Sequence, residues 1–231
     1  MERQRLAELS QNLLRTLDSA RDCGELPRGG GSLSGHLNCF PGRESRFVYE
    51  ALERHGVLAL VRSLSAHQLG EPNIGCNLNL SGSRRQNEHV DGYAAAPFLI
   101  VNVAAVDTDL SNGATEVIPG SHRRSHKYWQ IALGGLPRKR LIMRQGDVAI
   151  RISSLWHRGM PNRSPHARPM LAFTWEDGGS RLPDPYAVHE GRIKFLPNRF
   201  STGWRGRMIE RAFVTAPGLG KTYQVVRSLF G

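Results

Sequence analysis

The amino-acid sequence predicts a mainly β protein whose strands form a closed or double antiparallel sheet, with helices on its N-terminal flank. Three features lead there. From Asn73 onward the chain breaks into short runs of β-branched and apolar residues separated by Gly, Pro, Asn and Asp. No helical stretch of ten or more residues lies between those runs, which argues against a parallel βαβ arrangement. Ahead of them, apolar residues recur at three- and four-residue intervals instead.

In chain order, Leu6, Leu9, Leu13, Leu14 and Leu17 make residues 2–19 an amphipathic helix with one apolar stripe, suited to packing on a sheet. Arg28-Gly29-Gly30-Gly31-Ser32 punctuates its end. A second helical pattern over residues 46–64 carries Phe47, Ala51, Leu52, Val57, Leu58 and Val61. The strand-like runs are 75–81, 97–106, 114–118, 141–152 and 168–175. Beyond residue 178 the chain is rich in Gly, Pro and Arg, its periodicity is weak, and no elements are assigned. There is no internal repeat.

Apolar residues make up 39% of the 231, the share of an ordinary globular protein, and this length fits one core. We therefore read 1–231 as a single domain: a helical flank over 1–70, a core over 73–178 and a basic C-terminal extension over 179–231. The first twenty residues lack the continuous apolar region of a signal peptide. The longest apolar stretch, 97–106, is far below the ~20 residues needed to span a bilayer. Cys23, Cys39 and Cys76 are odd in number and form no CxxC pair, so neither a disulfide framework nor a zinc knuckle is indicated, and a reducing cytoplasm is the natural compartment.

The 31 basic residues outnumber 20 acidic ones, a formal net charge of +11. Seven cations fall between Ser121 and Gln145 without an acid, and eight between Gly191 and Gly231 against Glu210 alone. Such a surplus reads either as a solvated, arginine-rich surface or as one that attracts anions.

Chemistry concentrates at Gln86-Asn87-Glu88-His89-Val90-Asp91-Gly92. On extended backbone, residues two apart project from one face, so His89 and Asp91 can reach the same ion. Alone, a His-x-Asp pair is a weak signal and more readily structural. A distant histidine would complete the two-His-one-carboxylate triad that leaves open positions on iron(II) for oxygen chemistry. Among nine histidines, His157 is the best third ligand, because it follows an apolar strand and precedes the turn-rich Gly159-Met160-Pro161-Asn162. His122 and His126 sit in a basic segment without a carboxylate, and His36, His55, His67, His166 and His189 have no partner at ligand spacing. Arg168 opens the last strand. If 158–167 is a hairpin loop, His157 and Arg168 become cross-strand neighbours. A guanidinium there suits the far carboxylate of 2-oxoglutarate, whose other end could chelate the iron. Tyr93 and Trp129 are pocket-lining candidates with packing as the plainer alternative.

These residues, together with Asn112-Gly113-Ala114-Thr115-Glu116-Val117-Ile118-Pro119-Gly120-Ser121-His122, Gly146-Asp147 and Trp156-His157 followed by Arg168, resemble the phytanoyl-CoA dioxygenase family over roughly 75–175. The resemblance implies a double-stranded β-helix (a jelly roll, cupin-like) with iron(II) on His89, Asp91 and His157. It also implies 2-oxoglutarate on Arg168 and O2 as co-substrate. Asn77, Gln86 and Thr115 are further co-substrate candidates by the same likeness. The chain departs from the pattern at Gly159, where Ser or Thr is frequent and where Arg163 or Ser164 would have to supply the missing hydrogen bond. His122 to Lys139 is the lid candidate. Asp91 itself favours oxygen transfer, since related halogenases carry Gly or Ala there. The implied activity is hydroxylation of a small molecule, anionic by the charge argument, with release of succinate and CO2. Two other readings stand beside it. One is oxidative demethylation or hydroxylation of nucleic acid, disfavoured because the Arg-x-Asn-x-Thr-x-x-Arg-like run is absent after His157. The other is a jelly-roll binding module without catalysis. Oligomeric state is not readable from the sequence.

Overall fold

The structure is a computed structural model describing residues 2–27, 31–65, 68–92, 95–197 and 203–230. Gly29 and Gly30 of the glycine punctuation, His67 and Tyr93 lie outside the described residues. In chain order the elements are α1 (Arg3–Asp22), β1 (His36–Phe40), α2 (Arg46–Arg54), α3 (Val57–Leu64), β2 (Asn73–Asn79), β3 (Leu99–Ala104), β4 (Glu116–Val117), α4 (Tyr128–Leu133), β5 (Lys139–Arg140), β6 (Val148–Ile152), β7 (His157–Arg158), β8 (Arg168–Thr174), β9 (Lys194–Leu196), α5 (Trp204–Thr215) and α6 (Pro217–Phe230).

The strands form two antiparallel sheets, a large one ordered β6-β3-β8-β2-β1-β9 and a small one ordered β5-β4-β7. Side chains alternate across a strand, so each strand of the large sheet divides its residues between two environments. Leu171 and Phe173 of β8, Val101 and Val103 of β3, Cys76 and Leu78 of β2 and Leu37 of β1 join one apolar core. Arg168, Met170, Ala172 and Thr174, Ile100 and Asn102, and Gly75 and Asn77 line a pocket on the opposite face.

The helices cover the apolar face. Leu6, Leu9, Leu13 and Leu17 of α1, Phe47, Val48 and Leu52 of α2, and Leu58 and Val61 of α3 are all buried in the same core. Burying a leucine contributes about 2 kcal/mol, so the α1 stripe anchors that helix to the sheet through packing rather than through helix propensity. The single helical pattern over 46–64 is two helices, because Gly56 takes a left-handed conformation (φ 73°) that ends α2 and turns the chain into α3.

Three further expectations are corrected. Of the run 141–152, only Val148–Ile152 is strand, while Met143 makes an isolated bridge to Thr108. His36–Phe40, unassigned from sequence, pairs with both β2 and β9 and sits inside the large sheet. The tail beyond 178 carries a strand and two helices, with α6 lying against α4 through a hydrogen bond from Trp129 N to Ser228 Oγ (3.0 Å).

No helix among the described residues is long and apolar enough to cross a membrane.

Candidate active site

His89 and His157 face each other across an isolated antiparallel bridge, each backbone N–H donating to the other's carbonyl at 3.0 Å. Directly opposed residues project to one side, which sets the two rings with centroids 4.4 Å apart. Each ring is oriented locally, since Nδ1 of His89 lies 2.9 Å from Asn87 O and Nδ1 of His157 lies 2.9 Å from Leu155 O. A carbonyl can only accept, so Nδ1 carries the proton and the Nε2 lone pair is free, the arrangement of metal-binding histidines. Asp91 is brought in by its backbone N–H, which donates to Ser153 O at 2.9 Å. Its Oδ2 lies 3.4 Å from His157 Nε2 and its Oδ1 lies 3.9 Å from His89 Nε2. One donor atom from each of the three residues falls within 4.8 Å of the others.

Electrostatics keep these groups in their ligand forms. Burial drives the His157 imidazole down to about 3, so it is neutral at physiological pH. Burial acts against ionisation of Asp91, but its electrostatic interactions with His157, Arg151 and His89 outweigh it and hold the carboxyl well below the usual range. With His157 neutral, Arg151 is the group that sustains this at neutral pH.

Arg168 is buried at the start of β8 and opens the pocket-facing row of that strand. It is not the cross-strand neighbour of His157. β7 pairs with β4 in the small sheet, whereas Arg168 stands opposite Asn79 of β2 in the large sheet. Residues 159–167 carry the chain from one sheet to the other, and both side chains line the pocket between the sheets. Arg168 Nη2 donates to Gly113 O at 3.3 Å, and its Nε is buried without a hydrogen-bond partner. Burial lowers its guanidinium to about 10, leaving it charged at neutral pH.

The pocket between the sheets has a volume of about 450 Å³ and is lined by His89, Asp91, His157 and Arg168, with Asn77, Gln86 and Thr115 also on its wall. Two of those last three are already engaged: Asn77 Nδ2 donates to Asn38 Oδ1 (3.0 Å), and Gln86 Oε1 accepts from Gly159 N (2.7 Å). The side chains of Arg163 and Ser164 do not line this pocket; Ser164 Oγ instead donates to Asn162 Oδ1 at 2.7 Å. Of the basic segment 121–145, Arg138 is paired with Glu88 and Glu116, and Arg140 Nε donates to Ala114 O (2.7 Å). None of its seven cations lines the pocket. A separate cavity of about 440 Å³ around Phe40, Pro185 and His189 contains none of the triad.

Two further residues bear on the site. Arg151 of β6 lines the pocket and contacts Asp91, and His36 of β1 packs against Gly159. Arg151 was findable from parity: Val148 and Ile150 pack on the core, so a charged residue at 151 must face the other way. His36 was not, because its strand was unassigned.

The donor set fits a divalent metal that prefers nitrogen and oxygen ligands and leaves positions open. An observation independent of ligand type agrees for the co-substrate side of the pocket: Arg168 Nε is buried without a hydrogen-bond partner. Natural structures rarely leave such atoms without a function.

A family model described as Phytanoyl-CoA dioxygenase (PhyH) matches residues 52–170. Among solved structures the chain is similar to AviO1 from Streptomyces viridochromogenes Tue57, with 16% identity over 75% of this chain and 85% of that one and a TM-score of 0.58. It is similar to the non-heme alpha ketoglutarate dependent carbocyclase SnoK from nogalamycin biosynthesis, with 14% identity over 73% and 74% and a TM-score of 0.54. It is also similar to the epimerase SnoN in complex with Fe3+, alpha ketoglutarate and nogalamycin RO, with 17% identity over 71% and 74% and a TM-score of 0.50. At these identities the likeness is one of fold.

Proposed function

This chain belongs to the phytanoyl-CoA dioxygenase family, and from that premise we propose that it is an iron(II)- and 2-oxoglutarate-dependent dioxygenase. It hydroxylates a small, anionic molecule and releases succinate and CO2. The observation that carries this reading is the convergence of His89, Asp91 and His157 in the same pocket as a buried guanidinium, that of Arg168, whose Nε has no partner. We read the two sheets as the halves of a double-stranded β-helix within one oxygenase domain, working in the cytoplasm with its three cysteines free.

Iron(II), when bound with 2-oxoglutarate and O2, supplies the oxidising power to insert oxygen into a C–H bond. The protein's residues orient and exclude. His89 and His157 present Nε2, with Nδ1 tied to the backbone, and Asp91 supplies the anionic ligand. Arg168 takes the distal carboxylate of 2-oxoglutarate, gaining the partner that its Nε lacks. Thr115, Asn77 and Gln86 shape the wall along which the co-substrate lies. The chain's surplus of positive charge, +11, draws an anionic substrate toward the mouth through its field rather than through direct contacts.

The test is anaerobic titration of the protein with iron(II) and 2-oxoglutarate, following the visible charge-transfer band of the chelated co-substrate. Wild type develops the band, and His89→Ala and His157→Ala do not. Absence of the band in wild type, together with no succinate formed in air, defeats the assignment. Because two proteins of similar fold are an epimerase and a carbocyclase, product mass is read alongside: hydroxylation adds one oxygen atom.

A further inference from the structure

Arg151 leaves β6 on the pocket face and is largely buried, its side chain 13% exposed. Its Nη1 lies 2.6 Å from Asp91 Oδ2, while its Nε donates to Asn102 Oδ1 at 2.9 Å. Asn102 stands opposite Ala149 on the neighbouring β3, so Arg151 is its diagonal cross-strand neighbour. The amide of Asn102 is itself set by a hydrogen bond from Nδ2 to Leu171 O on β8 (3.4 Å), which turns Oδ1 toward the guanidinium. A continuous relay therefore runs from the backbone of β8 through Asn102 on β3 and Arg151 on β6 to the carboxylate.

Asp91 needs such a relay. The two histidine rings are tied at Nδ1 to backbone carbonyls, whereas Asp91 lies outside every regular strand and is held to the fold by its backbone N–H to Ser153 O. Its carboxyl group makes its closest charge contact with Arg151, nearer than either imidazole. The Arg151 contact is close but not aligned as a hydrogen bond; it is a charge contact that occupies one oxygen and leaves Oδ1 toward His89.

We propose that Arg151, braced by Asn102, is the positioning residue of the metal centre, holding one oxygen of Asp91 so that the carboxylate binds the metal through the other alone. The inference rests on the reading of His89, Asp91 and His157 as the metal ligands. Two opposing effects make it decidable. A guanidinium beside the site repels a dication, so Coulomb's law alone has its removal tighten metal binding. An orienting partner raises affinity, and loss of such a partner typically weakens it about 10- to 100-fold. The relay through three strands favours orientation, because the rigid sheet has already met the cost of ordering the arginine.

The experiment is titration of the full metal-free chain with cobalt(II), following its ligand-field absorption. Arg151→Met is expected to weaken cobalt(II) binding about 10- to 100-fold and to change the shape of the bound spectrum, since the released carboxylate can swing to two-oxygen coordination. Arg151→Lys, which keeps the charge but cannot span Asn102 and Asp91 together, falls between. Asn102→Ala, which removes the brace and not the contact, weakens binding in the same direction by a smaller factor and covers the case in which Arg151→Met does not fold. Variants that bind cobalt(II) as tightly as wild type or more tightly, with an unchanged spectrum, overturn the proposal. Failure of wild type to bind cobalt(II) at all defeats instead the ligand assignment beneath it.

Discussion

The imidazole of His36 occupies the space that a side chain at residue 159 would need. A β-carbon on Gly159 would overlap His36 Cε1 and lie 2.8 Å from His36 Nδ1 and 2.6 Å from Gln86 Oε1. His36 and Gly159 thus form a matched pair across two parts of the chain, and this accounts for glycine two residues after the distal histidine, where the family often has a hydroxyl. Gly159→Ser alone is expected to destabilise the fold by about 1–3 kcal/mol, as over-packing of a filled interior does. Adding His36→Ala should recover most of that loss. Urea unfolding of the two single variants and the double variant measures the coupling, and strictly additive effects would show that the two positions do not compete for space.

His36 also makes the fold acid-sensitive. Its Nε2 donates to Arg84 O (2.8 Å), its Nδ1 has no partner, and burial lowers its imidazole to about 4. In the unfolded chain it would titrate near 6.5. Between these values the unfolded state binds the extra proton, so stability falls as pH drops from about 6.5 toward about 4 and is unaffected by this group above 6.5. The loss amounts to about 3 kcal/mol. Thermal midpoints of metal-free protein across this range should show the acid decline in wild type and a shallower one in His36→Gln. Parallel curves would exclude His36 as its source.

Arg168 is held at a cost that function explains. It is a buried cation with one long hydrogen bond and an unsatisfied Nε. Replacing a buried, poorly paired charge with an apolar residue of similar size is often neutral or stabilising. Arg168→Met is therefore expected to keep or raise the melting temperature of the unliganded protein. The same change should weaken 2-oxoglutarate binding to the metal-loaded protein by about 2–5 kcal/mol, the usual result of removing one partner of a buried charge pair. Calorimetry on the two forms separates the effects. A variant that melts lower and still binds 2-oxoglutarate would assign Arg168 a structural role.

The contrast between Arg168 and Arg151 shows what was legible in the sequence. His89 and Asp91 announce themselves by residue type and a two-residue spacing that any extended backbone places on one face. His157 and Arg168 follow from order along the chain, but their relation does not: sequence distance alone made them hairpin neighbours, whereas they belong to different sheets. Arg151 carries meaning only once Val148 and Ile150 are known to face the helices. Helices α5 and α6 were invisible because Gly206, Gly218 and Gly220 interrupt their pattern, each glycine lowering helix propensity by about 1 kcal/mol relative to alanine. Their packing on each other, and that of α6 on α4, overrides that propensity. The α1 stripe needed no such context, since its leucines recur at helical spacing along uninterrupted sequence.

Behind the histidine pair lies a charge cluster that the same alternation creates. Glu88 precedes His89 and Arg158 follows His157, so they project to the opposite side of the bridge from the metal ligands. There Arg158 Nη1 meets Glu88 Oε1 at 2.6 Å and Arg158 Nη2 meets Glu116 at 2.5 Å, while Arg138 reaches Glu88 at 3.3 Å and Glu116 at 3.4 Å. Tyr128 Oη adds a contact to Glu88 at 3.3 Å and donates to Asn87 Oδ1. Two carboxylates balance two guanidiniums in a largely buried setting. Removing Glu88 leaves two cations sharing one acid, and an uncompensated buried charge costs about 3–5 kcal/mol. Glu88→Ala is expected to lower stability by that amount and Glu88→Gln by less, since the amide oxygen still accepts from Arg158. Because the cluster clamps the backbone that spaces His89 from His157, Glu88→Gln should also weaken cobalt(II) binding, although residue 88 faces away from the metal. Chemical denaturation and cobalt(II) titration of the same variant test both halves. A fully stable Glu88→Ala with unchanged metal affinity would mean that the bridge between the two histidines holds its register without support from behind.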